Sequence, residues 1–131
     1  MPELPEVETI CRGLEPHLAG RRILRVKVLE RRLRCLIDRK FAEYLEGRTI
    51  LGVERRAKYI LIRLNGDLVW MVHLGMSGKL VHVDFRRAKQ KHDHILVSLD
   101  SGYDLRYHDP RRFGLALVVP ASRSQPEYCN H

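Results

Sequence analysis

The chain has 131 residues, 44% of them hydrophobic, enough for one folded domain with its own core and too apolar for a disordered tail. Its 24 Lys and Arg against 16 Asp and Glu leave a formal charge of +8, spread along the chain. That balance favours a polyanionic partner, nucleic acid first, met by a basic face of a folded body rather than by a charged arm. Apolar runs fall short of the roughly 18 to 20 residues of a membrane span, and the N-terminus lacks the basic and apolar regions of a signal peptide. Cys11, Cys35 and Cys129 are three and widely spaced, which suits neither a paired disulfide framework nor a zinc motif of the CxxC kind. A cytoplasmic protein in a reducing compartment, without a membrane partner, is the expectation.

From Pro5 to Leu18 the apolar residues Val7, Ile10, Cys11, Leu14 and Leu18 recur at three- and four-residue spacing, which predicts an amphipathic helix. Glu3, Glu6 and Glu8 place negative charge at its positive end, and Pro16 is expected to end or distort it early. After Gly20, alternation of Ile23, Val26 and Val28 among basic residues predicts a strand. A short helix around Phe41 to Leu45 stops at Gly47. Strand-like runs follow at Thr49 to Glu54, Tyr59 to Leu64, Leu68 to Leu74, Lys79 to Val83, His94 to Leu99, Tyr103 to His108 and Leu115 to Val119. Turn signals such as Asn65-Gly66-Asp67 and Asp100-Ser101-Gly102 separate them. Many short strands and two helices imply a mainly β, α+β fold, a sandwich or barrel flanked by helices. The architecture expected is a two-sheet β-sandwich with an N-terminal helix and a second short helix. Phe85 to Asp93 is polar and basic and is expected to be a mobile loop. Residues 1–120 form the domain, and the Ser, Pro, Gln and Asn of 121–131 look like the start of a linker.

The opening Met1-Pro2-Glu3-Leu4-Pro5-Glu6 carries the most chemistry. Removal of Met1 would leave a secondary amine on Pro2, in part unprotonated at neutral pH. Such an amine attacks an aldehydic carbon to give a cationic iminium, an electron sink for eliminating neighbouring phosphates, and Glu3 and Glu6 stand close by as acid-base partners. The bland reading is a helix start with no chemistry. His73-Leu74-Gly75-Met76-Ser77-Gly78 presents a polarizable Met in a glycine-framed turn, either a core residue or a side chain suited to insertion into a base stack. Asp109-Pro110-Arg111-Arg112-Phe113-Gly114 sets two guanidiniums beside a ring, either a solvated turn before a core Phe or a wedge with a base-reading arginine. The runs Arg55-Arg56-Ala57-Lys58-Tyr59 and Arg86 to His92 are either solvated surface or phosphate contacts. His92 and His94 have the spacing of two metal ligands on one strand face, but nearby residues offer no third.

With these residues in view, the sequence resembles the bacterial formamidopyrimidine-DNA glycosylase family across essentially its whole length. Five blocks in the family's order carry the resemblance: MPELPEVET at the start, RRAKYI from Arg55, HLGMSGKL from His73, KHDHI from Lys91 and RYHDPRRFG from Arg106. The PELPEVET opening differs from the PEGPE start of the related endonuclease VIII branch. The resemblance implies a glycosylase and abasic-site lyase that acts on a base flipped from double-stranded DNA, chiefly 8-oxoguanine and formamidopyrimidines. It makes Pro2 the nucleophile at the sugar C1′, Glu3 a proton donor, Glu6 a group that positions the amine and exchanges protons, and Lys58 a phosphate-contacting catalytic lysine. It makes His92 a further phosphate contact, and Met76, Arg111 and Phe113 the trio that enters the duplex, with Arg112 beside them. Met fills the vacated space, Arg pairs with the orphaned cytosine, and Phe wedges beside it.

Family members continue into a helix-two-turn-helix domain and a C-terminal zinc finger, neither of which these 131 residues contain. The chain is therefore expected to be a truncated piece, a monomer with no metal or other cofactor of its own and weak or absent glycosylase activity. Two other classes share parts of the pattern. Some small tautomerases begin Met-Pro and use the proline amine as a base, but need neither Met76 nor Arg111-Arg112-Phe113. A non-catalytic DNA-binding remnant would keep every motif and turn nothing over.

Overall fold

The acidic N-terminal pattern becomes helix α1, Leu4–Leu18, in a computed structural model that describes residues 3–123. Its first turn closes on itself: Glu6 Oε1 accepts from the Glu3 N–H at 3.3 Å, satisfying a backbone donor that the helix leaves open. Val7, Cys11, Leu14 and Leu18 form the buried stripe that the spacing predicts. Pro16 does not end the helix as expected but lies inside its last turn. Only one helical donor is lost so close to the end, and Leu18, fully buried, holds the turn against the core; burying such a side chain contributes about 1.5 to 3 kcal/mol.

Eight strands follow: β1 Ile23–Val28, β2 Ile50–Arg56, β3 Tyr59–Leu64, β4 Leu68–His73, β5 Lys79–Asp84, β6 Asp93–Leu99, β7 Tyr103–His108 and β8 Leu115–Pro120, with helix α2, Phe41–Leu45, between β1 and β2. They form two antiparallel four-stranded sheets, ordered β1-β6-β7-β5 and β2-β3-β4-β8, so the fold is the expected two-sheet sandwich with an N-terminal and a second short helix. Its main core joins the inner faces of both sheets, among them Ile60, Ile62, Trp70, Val72, Ile95, Val97 and Leu105, with the stripe of α1 and with Phe41 and Leu45 of α2. Phe41 meets Trp70 edge to face, ring centres 5.7 Å apart. A smaller apolar cluster of Tyr59, Leu61, Val69, Met71, Leu115 and Val119 lies on the other face of β3-β4-β8.

Helix α1 covers the free edge of β2. Glu15 Oε2 accepts from the Val53 N–H at 2.7 Å, in the place a further strand would take. One residue earlier Gly52 keeps that approach open, since a Cβ there would come within 3.0 Å of the same oxygen. Among the thiols, Cys11 is free and burial pushes it up to about 11. Cys35 is disulfide-bonded, contrary to the expectation drawn from cysteine spacing, because separation along a chain does not report separation in the fold.

The segment from Phe85 to Asp93, expected to be mobile, is tied to the sheet by a buried arginine. The Arg106 guanidinium donates to the carbonyls of Phe85, Arg87 and Ala88 at 3.3, 2.9 and 3.4 Å and pairs with Asp104 at 2.9 Å. Among the described residues, no helix is long and apolar enough to cross a membrane.

Candidate active site

Strand register brings the motifs to one end of the sandwich. Tyr59 pairs with His73, so the Ala57-Lys58 turn lies beside the loop that follows β4. His73 pairs with Leu115, so that loop lies beside the one that precedes β8. His108 pairs with both Lys79 and Asp93, which adds the starts of β5 and β6. Helix α1 runs along β2 with its N-terminus at the same end: Glu15 meets Val53, Glu8 meets Arg55 at 3.0 Å, and Glu3 meets Lys58 at 3.8 Å. Arg55, and then Arg12, holds the Glu8 carboxyl below the usual carboxylate range, so the helix start is docked through a charged contact.

Three of the four residues expected to carry catalysis therefore converge. Glu6 braces the Glu3 backbone, and the exposed Glu3 carboxylate faces the half-buried Lys58 ammonium. Lys58 is aimed by its turn, in which Ala57 takes φ +51° and Arg55 donates to the Ala57 carbonyl at 2.9 Å. The fourth, Pro2, lies outside the described residues.

Beside this group stand two exposed loops. Met76 is 49% exposed and Phe113 47% exposed, which excludes the core reading of both. The Arg111 guanidinium carbon sits 5.0 Å from the Phe113 ring centre, so charge and ring present themselves together. Arg112 is turned differently: at φ +58° it approaches Glu30 to 3.7 Å. The hydrogen-bonded Arg32 holds that carboxyl down to about 2. His92, at φ +89°, reaches the same end in a cationic neighbourhood; desolvation, then Lys91, His108, His94 and Arg112, lowers its pKa below the usual imidazole value. His94 does not join it as a ligand, since its Nε2 lies 2.7 Å from the Asp109 carbonyl oxygen. Among the described residues, no three His, Cys, Asp or Glu side chains are grouped to hold a metal.

Sequence reasoning passed over the residues beneath the loops. Asp109 is fully buried behind Arg111 and Phe113. Tyr107, whose hydroxyl donates to Asp109 at 2.7 Å, has its pKa raised by burial and by that bond. His73 is buried with its Nδ1 accepting from the Gly75 N–H at 3.0 Å, and burial, then Arg34 and Lys58, lowers its pKa. The only signal for Asp109 was its place at the head of the Asp-Pro-Arg-Arg-Phe-Gly turn, which reads equally as solvated.

The sequence profile of the formamidopyrimidine-DNA glycosylase N-terminal domain matches residues 1–116. The chain belongs to the formamidopyrimidine-DNA glycosylase family. It is 56% identical over 118 residues to the formamidopyrimidine-DNA glycosylase of Stutzerimonas stutzeri, covering 89% of this chain and 43% of that protein. It is 49% identical over 127 residues to the one from Hahella chejuensis, covering 96% and 46%. The chain thus spans less than half the length of these relatives. Among solved structures, it resembles the Lactococcus lactis Fpg bound to DNA containing N7-benzyl-Fapy-dG, with TM-score 0.85 and 32% identity over 92% of this chain and 45% of that one. The complex of the same family member with abasic-site DNA matches at TM-score 0.85 and 31% identity, with the same coverage. The family's β-sandwich and flanking helices are those described above.

Proposed function

We propose that this domain carries the excision chemistry of a base-excision repair glycosylase with abasic-site lyase activity, acting on double-stranded DNA that contains oxidised purines or abasic sites. The observation that carries the reading is the convergence of Glu3, Glu6 and Lys58 at the start of α1, beside the exposed Met76, Arg111 and Phe113. With Met1 removed, the Pro2 amine attacks C1′ of the damaged nucleotide, and the bond from C1′ to the base breaks as the base leaves with a proton. Glu3 donates a proton to the sugar ring oxygen, the ring opens, and the nitrogen lone pair forms the C1′ iminium. Loss of a C2′ proton then expels the 3′ phosphate, and a second elimination expels the 5′ phosphate, leaving a one-nucleotide gap. Glu6 keeps the amine in place and takes up protons, while Lys58 and His92 bind phosphates flanking the lesion. Met76, Arg111 and Phe113 enter the duplex once the base has flipped, with Arg112 on the backbone.

The reading needs no metal or cofactor in this domain and no second subunit. The relatives' remaining length supplies much of the grip, so these 131 residues alone excise bases weakly or not at all. Borohydride trapping on abasic-site DNA, with intact mass confirming loss of Met1, is the test. A covalent adduct that is greatly reduced in Pro2→Gly is expected. A tautomerase or a non-catalytic remnant forms none, and its absence with Met1 removed overturns the proposal.

A further inference from the structure

Asp109 stands where the chain leaves β7 for the exposed 110–113 loop, yet it is 0% exposed. Both of its carboxylate oxygens are occupied. Oδ1 accepts from the Ser77 hydroxyl at 2.7 Å and from the Arg112 N–H at 3.1 Å. Oδ2 accepts from the Tyr107 hydroxyl at 2.7 Å and from the Gly114 N–H at 3.0 Å. Ser77 Oγ accepts in turn from the Arg111 N–H at 3.0 Å, closing a ring from one loop to the other and back. The backbone of the same residue reaches a third loop, its N–H donating to the His92 carbonyl at 3.0 Å.

A carboxylate buried this deeply is stable only when donors replace its water, and here four do so from both sides. A turn that had merely to be closed would not need that. An exposed Asp or Asn does the same work by bonding its own backbone two residues on. The distinctive bond is the one to Ser77, which belongs to the Met76 loop and lies far away in sequence. Removing the carboxylate takes the acceptor from the Ser77, Tyr107, Arg112 and Gly114 donors and uncouples the loops, while the Glu3 to Lys58 contact is built on α1 and the β2–β3 turn.

We propose that Asp109 is the positioning residue that locks the Met76 loop to the Arg111 and Phe113 loop, and so sets the geometry in which Arg111 discriminates the base opposite the lesion. This rests on the reading of those side chains as the set that enters DNA. Opposite-base selectivity then belongs to the hub beneath the loops as much as to the arginine itself. A bidentate side-chain contact distinguishes a right from a wrong base by about 1 to 3 kcal/mol, about five- to 150-fold, and only if it is held in place.

The test uses the 131-residue chain with Met1 removed and single-turnover borohydride trapping at an abasic site opposite dC, opposite dA, and in single-stranded DNA. The unaltered protein is expected to favour dC by at least about fivefold, and Arg111→Ala to lose that preference. Asp109→Asn, which turns an amide N–H₂ toward two donors, should bring the dC to dA ratio close to one. Ser77→Ala, which removes a single cross-loop bond, should give an intermediate ratio. Both should trap single-stranded abasic DNA at a rate within about twofold of the parent, because no opposite base is read there. General loss of folding would instead lower all three substrates together and leave the ratio intact. An unchanged ratio in both variants, or in Ser77→Ala alone should Asp109→Asn not fold, overturns the proposal. So does a parent protein that traps abasic DNA without preferring dC. A parent that traps no abasic DNA at all refutes the proposed function itself, a different outcome.

Discussion

Gly75→Ala tests how closely the two exposed loops are built against each other. Gly75 has φ +61°, and a Cβ there would lie 2.7 Å from the Phe113 carbonyl carbon and 2.8 Å from the Gly114 nitrogen, both backbone atoms that cannot rotate away. Two costs add. The left-handed backbone costs a residue with a Cβ about 1 to 2 kcal/mol, and overpacking a filled site costs about 1 to 3 kcal/mol more. Gly102→Ala separates them, because Gly102 has φ +84° but nothing within 4 Å of a Cβ, so only the first cost applies. For a domain of this size, about 3 to 5 °C of melting temperature is lost per kcal/mol. Gly102→Ala should therefore lower the melting temperature by about 3 to 10 °C and Gly75→Ala by about 6 to 25 °C, with the second variant losing clearly more in the same experiment. Thermal denaturation followed by circular dichroism reads both. Equal shifts would mean that the loops are not in contact as described and would refute the packing argument.

Replacing Met76 or Phe113 by Ala should slow excision of an oxidised purine from duplex DNA more than cleavage at a ready-made abasic site, and single-turnover rates that fall equally on the two would argue against a duplex-entering role. Adding residues before Pro2 converts its amine to an amide and should abolish borohydride trapping, so an extended protein that still traps points to another nucleophile. Burial holds the His73 imidazole below its usual value in the fold, so as pH drops below about 6.5 the unfolded chain takes up a proton more readily than the folded one. The stability present above that value is lost on acidification. Urea midpoints should fall from pH 7.5 to pH 5, less steeply in His73→Gln; a slope unchanged by the substitution would discharge His73 from the effect. DNA binding by the 131 residues should be weak, with the logarithm of the binding constant falling linearly with the logarithm of salt concentration, and a salt-independent affinity in a titration would contradict phosphate contact.

The strands were legible where alternation met a strong turn signal. Tyr59–Leu64 and Tyr103–His108 fall where the pattern puts them, since Asn65-Gly66-Asp67 and Asp100-Ser101-Gly102 leave little choice of end. Other strand ends differ by a residue or two, as with Ile50–Arg56, where pairing to β3 carries the ladder on through Arg55 and Arg56. Pro16 misled because a local rule about helix breaking was outweighed by the burial of Leu18 two residues on. For the site, Glu3, Glu6, Lys58, Met76, Arg111 and Phe113 could be named from local motifs. The convergence of all six could not, since it depends on register between distant strands. Asp109 was illegible for the same reason: its burial is made by Ser77 and Tyr107, and nothing local distinguishes it from a solvated Asp-Pro turn.

The two sheets also differ in how they can be assembled. In one, β2, β3 and β4 are successive hairpins, each strand pairing with its neighbour in the chain, and only β8 must come from afar. In the other, β1 is held early only at Ile23 and Val26, by residues 46–48 after α2, and its strand partner β6 arrives later, with α2 and four strands in between. Contacts so distant in sequence delay folding because a long loop must close before any of them forms. On a ribosome the β2-β3-β4 meander can therefore take shape early, while Ile23 to Val28 waits without a neighbouring strand until most of the domain has emerged. That interval, rather than anything in the finished fold, is when this protein is most exposed to aggregation.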